Sequence, residues 1–214
     1  MADLTVTEIF HSIQGESSQA GRPCVFIRLT GCPLRCRWCD TAYAFAGGEG
    51  MDYSQVLEKV AAYGTKLVEV TGGEPLAQGG CVPLLKALLS EGYEVMLETG
   101  GAHSLKDVPP EVRKIVDLKC PGSGESDRNL YGNLDLLHSH DEVKFVIAGR
   151  TDYEWARQQV REHGIGHICG ILYSPVHGEL EPAELAAWLL EDRLPGRLQI
   201  QLHKLLWPGR DRGV

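Results

Sequence analysis

Apolar strands and amphipathic helices alternate along this chain, and that alternation limits its fold more than any other feature. Strands are predicted at residues 24–30, 67–70, 93–98, 114–119, 142–147, 168–173 and 198–202. Helices are predicted at residues 53–63, 82–91, 151–163 and 181–192, with a weaker helical pattern at 127–138. Strands separated by helices pair in parallel through right-handed crossovers. The pattern therefore indicates an α/β fold.

The predicted strands are too few for a closed eight-stranded barrel. We therefore predict a partial (β/α) barrel with about six parallel core strands, or an open sheet of the same strands. A single domain is expected over residues 1–214, with a strand at 5–10 and a polar loop as its N-terminal extension. Pro109 and Pro110 argue against a long crossover helix between the strands on either side.

The helix predicted at 151–163 begins with the pattern of a capping box. Thr151 is followed three residues later by Glu154, so the Thr151 hydroxyl is expected to cap the first turn. Replacing Thr151 by Ala is then expected to cost about 1 kcal/mol of stability.

Composition excludes several classes of function. The net charge is −8 and no basic tract stands out, so nucleic-acid binding is not expected. No apolar run approaches the ~20 residues of a membrane span, and the N-terminus lacks the features of a signal peptide. The seven cysteines are an odd number with one tight trio, which does not resemble a disulfide framework. We expect a cytoplasmic protein.

The tight trio comprises Cys32, Cys36 and Cys39, spaced C-x3-C-x2-C, with Trp38 before the last cysteine. Three thiolates this close can bind one metal centre, and no fourth cysteine is near. An iron–sulfur cluster of four irons would keep one iron open for a ligand, as a catalytic metal site does. The alternative is a zinc site completed by a distant histidine.

A second feature is the stretch Thr71-Gly72-Gly73-Glu74-Pro75, which follows a predicted strand. It could be an ordinary strand-to-helix turn, in which glycines relax the backbone and Pro75 starts a helix. Because the carboxyl ends of parallel strands meet at one edge, this turn and the cysteine loop are expected to face each other.

The cysteine spacing resembles the C-x3-C-x-aromatic-C signature of the radical S-adenosylmethionine (SAM) superfamily, and the glycine turn resembles its GGEP motif. The resemblance implies a [4Fe-4S] cluster whose open iron binds the amino and carboxylate groups of SAM. An electron from the cluster would release a 5′-deoxyadenosyl radical, so an external flavodoxin- or ferredoxin-like donor is implied. No catalytic side chain beyond cluster and SAM is implied.

Further motifs resemble those of the 7-carboxy-7-deazaguanine synthase family. They are Ser12 to Glu16, Arg28, Cys39-Asp40-Thr41, Asp117-Leu118-Lys119 and Leu202-His203-Lys204. Members are carbon–nitrogen lyases that convert 6-carboxy-5,6,7,8-tetrahydropterin to 7-carboxy-7-deazaguanine, with loss of ammonia, for queuosine and other deazapurines. The resemblance also implies a Mg²⁺ ion and a homodimer.

The resemblance assigns site residues by position. For SAM it implies Trp38, Cys39, Asp40, Gly73, Glu74, Glu98, Lys119, Pro121, Ser123, Ser174 and Pro175. For the pterin it implies Ile13, Gln14, Gly15, Glu16, Arg28, Thr71 and His203. Thr41 is implied as a Mg²⁺ ligand, since a hydroxyl oxygen suits that ion.

Less specific interpretations stay open for some of these residues. Arg28 could face solvent, Thr41 could cap a helix and Glu98 could be a hydrated surface carboxylate. For the whole chain, the alternatives are a glycyl-radical-enzyme activase or another small radical SAM enzyme, and a non-catalytic zinc-binding module. An activase would have to admit a protein loop and would lack the segment Ser12 to Glu16.

Overall fold

A computed structural model describes residues 3–214 and contains one continuous sheet. Its strands β1 to β9 span Leu4–Ile13, Pro23–Leu29, Glu49–Met51, Leu67–Gly72, Glu94–Thr99, Arg113–Asp117, Glu142–Ile147, Gly170–Pro175 and Arg197–Leu198. The order across the sheet is β3-β1-β2-β4-β5-β6-β7-β8-β9. All pairs from β2 to β9 are parallel, whereas β1 is antiparallel to both of its neighbours.

Five α-helices accompany the strands in the described part of the chain. Helices α1 to α5 span Tyr53–Ala61, Cys81–Ser90, Arg150–Glu162, Pro182–Asp192 and Leu202–Leu206. The prediction of an α/β fold with about six parallel core strands is confirmed by β2 and β4 to β8. No α-helix lies between β5 and β6, as the two prolines indicated. Among residues 3–214, no helix has the length and apolar character needed to cross a membrane.

The two faces of the sheet differ in character. Val68 and Val70 of β4 are fully buried in the main core, which also contains the buried sides of α1 to α4. Glu69 and Thr71, the alternate residues of β4, lie on the opposite, inner face. A smaller apolar cluster closes the base of this inner face and comprises Phe10, Cys24, Phe26, Leu67, Met96, Ile115 and Leu172. Polar residues follow it toward the carboxyl ends of the strands.

The capping-box prediction at Thr151 is wrong. Helix α3 begins at Arg150 after Gly149, and no side chain caps its first turn. Thr151 is exposed within that turn, whereas the next residue, Asp152, is buried. The Asp152 carboxylate accepts hydrogen bonds from the backbone N–H groups of Ala148 (3.1 Å) and Gly122 (2.8 Å). This carboxylate therefore ties the residue before Gly149 to the loop after β6, and it does not cap the first turn of α3.

Two other predictions of secondary structure differ from the observed elements. The segment 127–138 forms short 3₁₀ turns, and buried Asn133 binds backbone groups of residues 101–105 instead of lying in a regular helix. The last strand ends at Leu198, and 202–206 are helical because the chain turns to bond Gly15 (Leu202 N to Gly15 O, 3.1 Å).

We predict that Asp152→Ala lowers the free energy of unfolding by about 1–3 kcal/mol, since it leaves two backbone donors without their partner. Thr151→Ala is the matched control and should change stability by less than about 0.5 kcal/mol. Urea unfolding of the purified variants measures both values. Equal losses in the two variants would contradict this stabilising role of the Asp152 carboxylate.

Candidate active site

A cavity of about 590 Å³ opens at the carboxyl ends of the parallel strands. Its wall includes the cysteine loop, the glycine turn after β4, the ends of the inner strands and the C-terminal tail. It therefore brings the sequence motifs together, although they are far apart in the chain. The predicted site residues on its wall are Ile13, Gln14, Gly15, Glu16, Arg28, Cys32, Cys36, Trp38, Cys39, Asp40, Thr41, Thr71, Gly73, Glu74, Glu98, Lys119, Ser174, Pro175 and His203.

Pro121 and Ser123 do not line this cavity. They form a 3₁₀ turn in which the Ser123 hydroxyl donates to the Cys120 carbonyl (2.6 Å). The Ser123 carbonyl accepts a hydrogen bond from the Arg37 backbone N–H (3.0 Å). In this structure the turn supports the cysteine loop from behind, and a contact of these two residues with SAM stays a prediction.

The backbone of the cysteine loop is held by hydrogen bonds at its start and in its middle. Gly31, with φ of 95°, donates to the Ala44 carbonyl (2.7 Å) and accepts from the Glu74 N–H (2.7 Å). Arg35 N–H donates to the Glu125 carboxylate (2.6 Å). These contacts fix the loop without using any of its thiols, which stay available as ligands.

The three thiols fit an iron–sulfur cluster. Cys32, Cys36 and Cys39 are partly exposed on one cavity wall, while the other four cysteines are buried. Burial raises the pKa of Cys36, and the nearby Lys119 ammonium opposes that shift. Among residues 3–214, no three His, Cys, Asp or Glu side chains form a group that could hold a single metal ion. An iron–sulfur cluster takes one thiolate on each of several irons, so a donor set of three thiols suits it.

The glycine turn packs directly against the cysteine loop. A Cβ on Gly73 would lie 2.3 Å from the Gly31 carbonyl oxygen and 2.9 Å from the Cys32 Cβ, so only glycine fits. Buried Glu74 braces the turn, because its carboxylate accepts from the Thr99 hydroxyl (2.8 Å) and the Gly100 N–H (2.8 Å). With its carboxylate engaged in this way, Glu74 acts on the cavity by positioning Gly73.

Charged side chains line the interior below these loops. The Lys144 ammonium bonds the carboxylates of Glu16 (Nζ–Oε2, 2.9 Å) and Glu98. Lys119 pairs with Asp117 (2.7 Å), whose second oxygen, Oδ1, is buried and has no hydrogen-bond partner in the described structure. Such an oxygen is an acceptor that a bound ligand could satisfy.

Arg28 is not a solvent-facing strand residue. Its Nε donates to Glu8 Oε1 (2.8 Å), and its guanidinium lies over the rings of Phe10 (5.9 Å) and Tyr43 (5.8 Å). The Tyr43 hydroxyl donates to the same Glu8 oxygen (2.8 Å). Among residues 3–214, no hydrogen bond uses the two terminal Arg28 nitrogens, so they can meet an anion in the cavity.

The C-terminal tail closes part of the cavity mouth. Gln201 donates to Glu16 (2.8 Å), and Lys204 pairs with Asp40 (3.1 Å). His203 lies against Gly15, where an added Cβ would be 2.7 Å from the His203 Nδ1. Burial lowers the pKa of His203, although the Glu16 carboxylate opposes that shift. The tail therefore builds the site together with the N-terminal loop.

Comparison with known proteins agrees with this arrangement. Residues 26–189 match the model of the radical SAM superfamily. The 7-carboxy-7-deazaguanine synthase of Koribacter versatilis is 45% identical over 99% of this chain and 100% of its own length. That of Chlorobaculum tepidum is 47% identical over 100% of this chain and 98% of its own length. The chain belongs to the 7-carboxy-7-deazaguanine synthase family of radical SAM proteins.

A solved structure of similar fold is that of QueE from Escherichia coli, with a TM-score of 0.75 and 24% identity over 92% of this chain and 93% of that one. At that identity the likeness concerns the fold alone, and it confirms the prediction of a partial barrel. Membership of the radical SAM family implies a [4Fe-4S] cluster and SAM, as the two motifs predicted.

Several cavity residues were missed by the sequence analysis. They are Glu8, Tyr43, Glu69, Lys144, Gln199 and Gln201, which line the cavity or bond the residues that do. One signal was available, because Glu69 and Lys144 are charged residues inside otherwise apolar strands. Charged residues are rarely buried without a partner, so such positions indicate a polar interior.

We predict that Gly73→Ala displaces the cysteine loop, since overpacking against backbone costs about 1–3 kcal/mol. The variant should bind less iron per chain than the wild type after anaerobic reconstitution, measured by iron analysis and the visible absorbance of the cluster. Gly79→Ala is the matched control, because a Cβ there meets nothing within 4 Å. Full iron loading of Gly73→Ala would contradict the proposed contact.

Proposed function

We propose that this chain converts 6-carboxy-5,6,7,8-tetrahydropterin to 7-carboxy-7-deazaguanine with release of ammonia, as a radical SAM carbon–nitrogen lyase. The observation that carries the proposal is that one cavity has the cysteine trio on one wall and the segment Ile13 to Glu16 with Arg28 on another. The names of the relatives at 45% and 47% identity support the same reaction. The product would enter queuosine or related deazapurine synthesis.

In this proposal the substrate is held at its two polar ends. The Glu16 carboxylate accepts from an N–H donor of the aminopyrimidinone edge at Oε1, which in this structure accepts only from Gln201 among the described residues. Burial acts to raise the pKa of Glu16, but the Lys144 ammonium and the Gln201 hydrogen bond outweigh it and lower the pKa, so Glu16 stays ionised. The terminal nitrogens of Arg28 bind the substrate carboxylate as a planar fork.

The cofactors are assigned to residues that fit them. Cys32, Cys36 and Cys39 would hold the cluster. The remaining cavity residues of the SAM set, among them Gly73, Glu98 and Lys119, would hold SAM. When bound, the cluster and SAM would supply the radical chemistry that the reaction requires.

We also propose a Mg²⁺ ion at Thr41, whose hydroxyl lies 3.7 Å from the Cys39 Sγ and faces the same cavity. A hydroxyl with bound waters suits this ion, which would organise the substrate carboxylate. The chain is further proposed to act as a single domain over residues 1–214, in a cytoplasmic homodimer. An external flavodoxin- or ferredoxin-like protein would supply electrons, and neither nucleic acid nor membrane would take part.

The reaction is tested with anaerobically reconstituted protein, SAM, a reductant and the carboxytetrahydropterin, with and without Mg²⁺. We expect 7-carboxy-7-deazaguanine by mass spectrometry, with more product when Mg²⁺ is present and none from Cys36→Ala. Absence of product from a cluster-loaded, SAM-cleaving protein would overturn the proposal in favour of another radical SAM reaction. Equal rates without Mg²⁺ would overturn the metal assignment.

We predict that Arg28→Lys raises the KM for the pterin about 10- to 100-fold, because a charge-assisted hydrogen bond contributes about 1.5–3 kcal/mol. Lys keeps the charge but loses the fork. Arg22→Lys is the matched control, since Arg22 pairs with Glu94 (2.9 Å) near the exposed base of the sheet. An unchanged KM in Arg28→Lys would remove Arg28 from the substrate site.

A further inference from the structure

Lys144 belongs to none of the motifs described in the sequence. It lies in the middle of β7, and only 8% of its side chain is exposed. Its ammonium contacts Glu16 from the N-terminal loop and Glu98 from β5 at the same time. Two carboxylates from distant parts of the chain are thereby joined on one side of the cavity.

The surroundings of this cation are strongly acidic. The titratable groups that face Lys144 or its partner Glu16 are Glu69 on β4, Glu98 on β5, Asp117 and Lys119 at the end of β6, Asp40 in the cysteine loop, and His203 and Lys204 in the tail. Lys119 is engaged with Asp117 and Lys204 with Asp40. Lys144 is therefore the cation that is paired with Glu16 among the described residues.

Neutral groups hold the rest of the Glu16 carboxylate. Gln199 Nε2 donates to Oε2 (3.0 Å), the oxygen that Lys144 also contacts, and Gln201 Nε2 donates to Oε1 (2.8 Å). Gln14 Oε1 accepts from the Glu16 backbone N–H (3.0 Å). These amides fix the direction of the carboxylate, but only Lys144 supplies it with a compensating charge.

We propose that Lys144 is a positioning residue that keeps Glu16 ionised and correctly oriented to accept an N–H donor of the pterin edge. This inference rests on the proposed function. Lys144 and Gln199 already use Oε2 and Gln201 uses one acceptor position of Oε1, so the ionised carboxylate keeps an acceptor position on Oε1 for a substrate N–H. In the protonated acid a hydrogen on that oxygen would repel the same donor. Beside Asp40, Glu69 and Glu98, Glu16 without its cation would favour the protonated form.

The neighbouring strand offers a matched comparison. Lys114 in β6 is also a buried lysine with a buried carboxylate partner, Asp141 (3.1 Å). Neither residue of that pair lines the cavity, and the Asp141 oxygens are also bonded by the backbone N–H groups of Lys114 and His138. The two pairs are alike in charge and both lysines are buried, but only the Lys144 pair faces the cavity.

The test compares Lys144→Met, Lys144→Arg and Lys114→Met with the wild type, each as anaerobically reconstituted holoenzyme. Pterin affinity is measured by calorimetry in the presence of SAM, and kcat and KM are measured by product formation. Iron content and urea unfolding report cluster loading and stability. We expect Lys144→Met to raise Kd and KM for the pterin at least about tenfold. Lys114→Met should lose stability with less than about a twofold change in Kd.

The pH dependence of binding separates charge compensation from simple loss of packing. Wild-type Glu16 has a lowered pKa, so pterin binding should persist as the pH falls toward the ordinary carboxylate range. In Lys144→Met the Glu16 pKa rises, so binding should be lost at a higher pH than in the wild type. Lys144→Arg keeps the charge, so its pH dependence of pterin binding should be close to that of the wild type.

Each outcome decides the proposal. Equal effects of Lys144→Met and Lys114→Met on Kd, or an unshifted pH profile, would overturn the role of Lys144. A wild-type holoenzyme that neither binds nor converts the pterin would instead overturn the proposed function, and this inference with it. If Lys144→Met does not fold, the double variant Lys144→Met/Glu98→Gln replaces it, because this variant loses one charge of each sign. The double variant should still bind the pterin more weakly than Glu98→Gln alone.

Discussion

The close contact between two loop backbones is the constraint on which the site depends. The glycine turn after β4 and the cysteine loop after β2 touch at Gly73 and Gly31, and the Glu74 N–H bonds the Gly31 carbonyl (2.7 Å). Parallel pairing of β2 with β4 brings the two loops to the same edge of the sheet. The absence of side chains then allows the backbones to meet, so the thiols and the exposed turn face one cavity.

The inner face of the sheet explains how a polar site can lie inside a parallel barrel. Apolar side chains such as Met96 and Ile115 close its base. Two residues further along each strand, Glu98 and Asp117 begin the polar region. Buried carboxylates are costly unless they are paired or protonated. Lys144 of β7 pairs with Glu98, and Lys119 just after β6 pairs with Asp117. Burial and neighbouring carboxylates raise the pKa of Glu69 well above its usual range.

The parts of the structure that the sequence predicted are those set by local patterns. Strand and helix periodicity gave most elements, and the cysteine and glycine motifs placed two walls of the cavity. Pairings between distant residues were not predicted, because nothing near Lys144 in the sequence specifies Glu16 as its partner. The prediction of a helix cap at Thr151 was wrong for a related reason. Thr151 fits a local pattern, but Asp152 bonds a loop thirty residues away (Gly122 N, 2.8 Å), and that tertiary contact decides which side chain is buried.

The C-terminal tail couples the chemistry of the site to long-range folding, because its side chains contact the N-terminal loop. Gln199 and Gln201 reach Glu16 across most of the chain and hold its oxygens with neutral amide donors. A second lysine in their place would compensate the same charge but would compete with the substrate for it, whereas an amide orients the carboxylate and leaves its charge to Lys144 and the ligand. The site is therefore completed only when Gln199 and Gln201 pack against the N-terminal loop, and loss of these contacts would leave Lys144 as the remaining side-chain partner of the Glu16 carboxylate among the described residues.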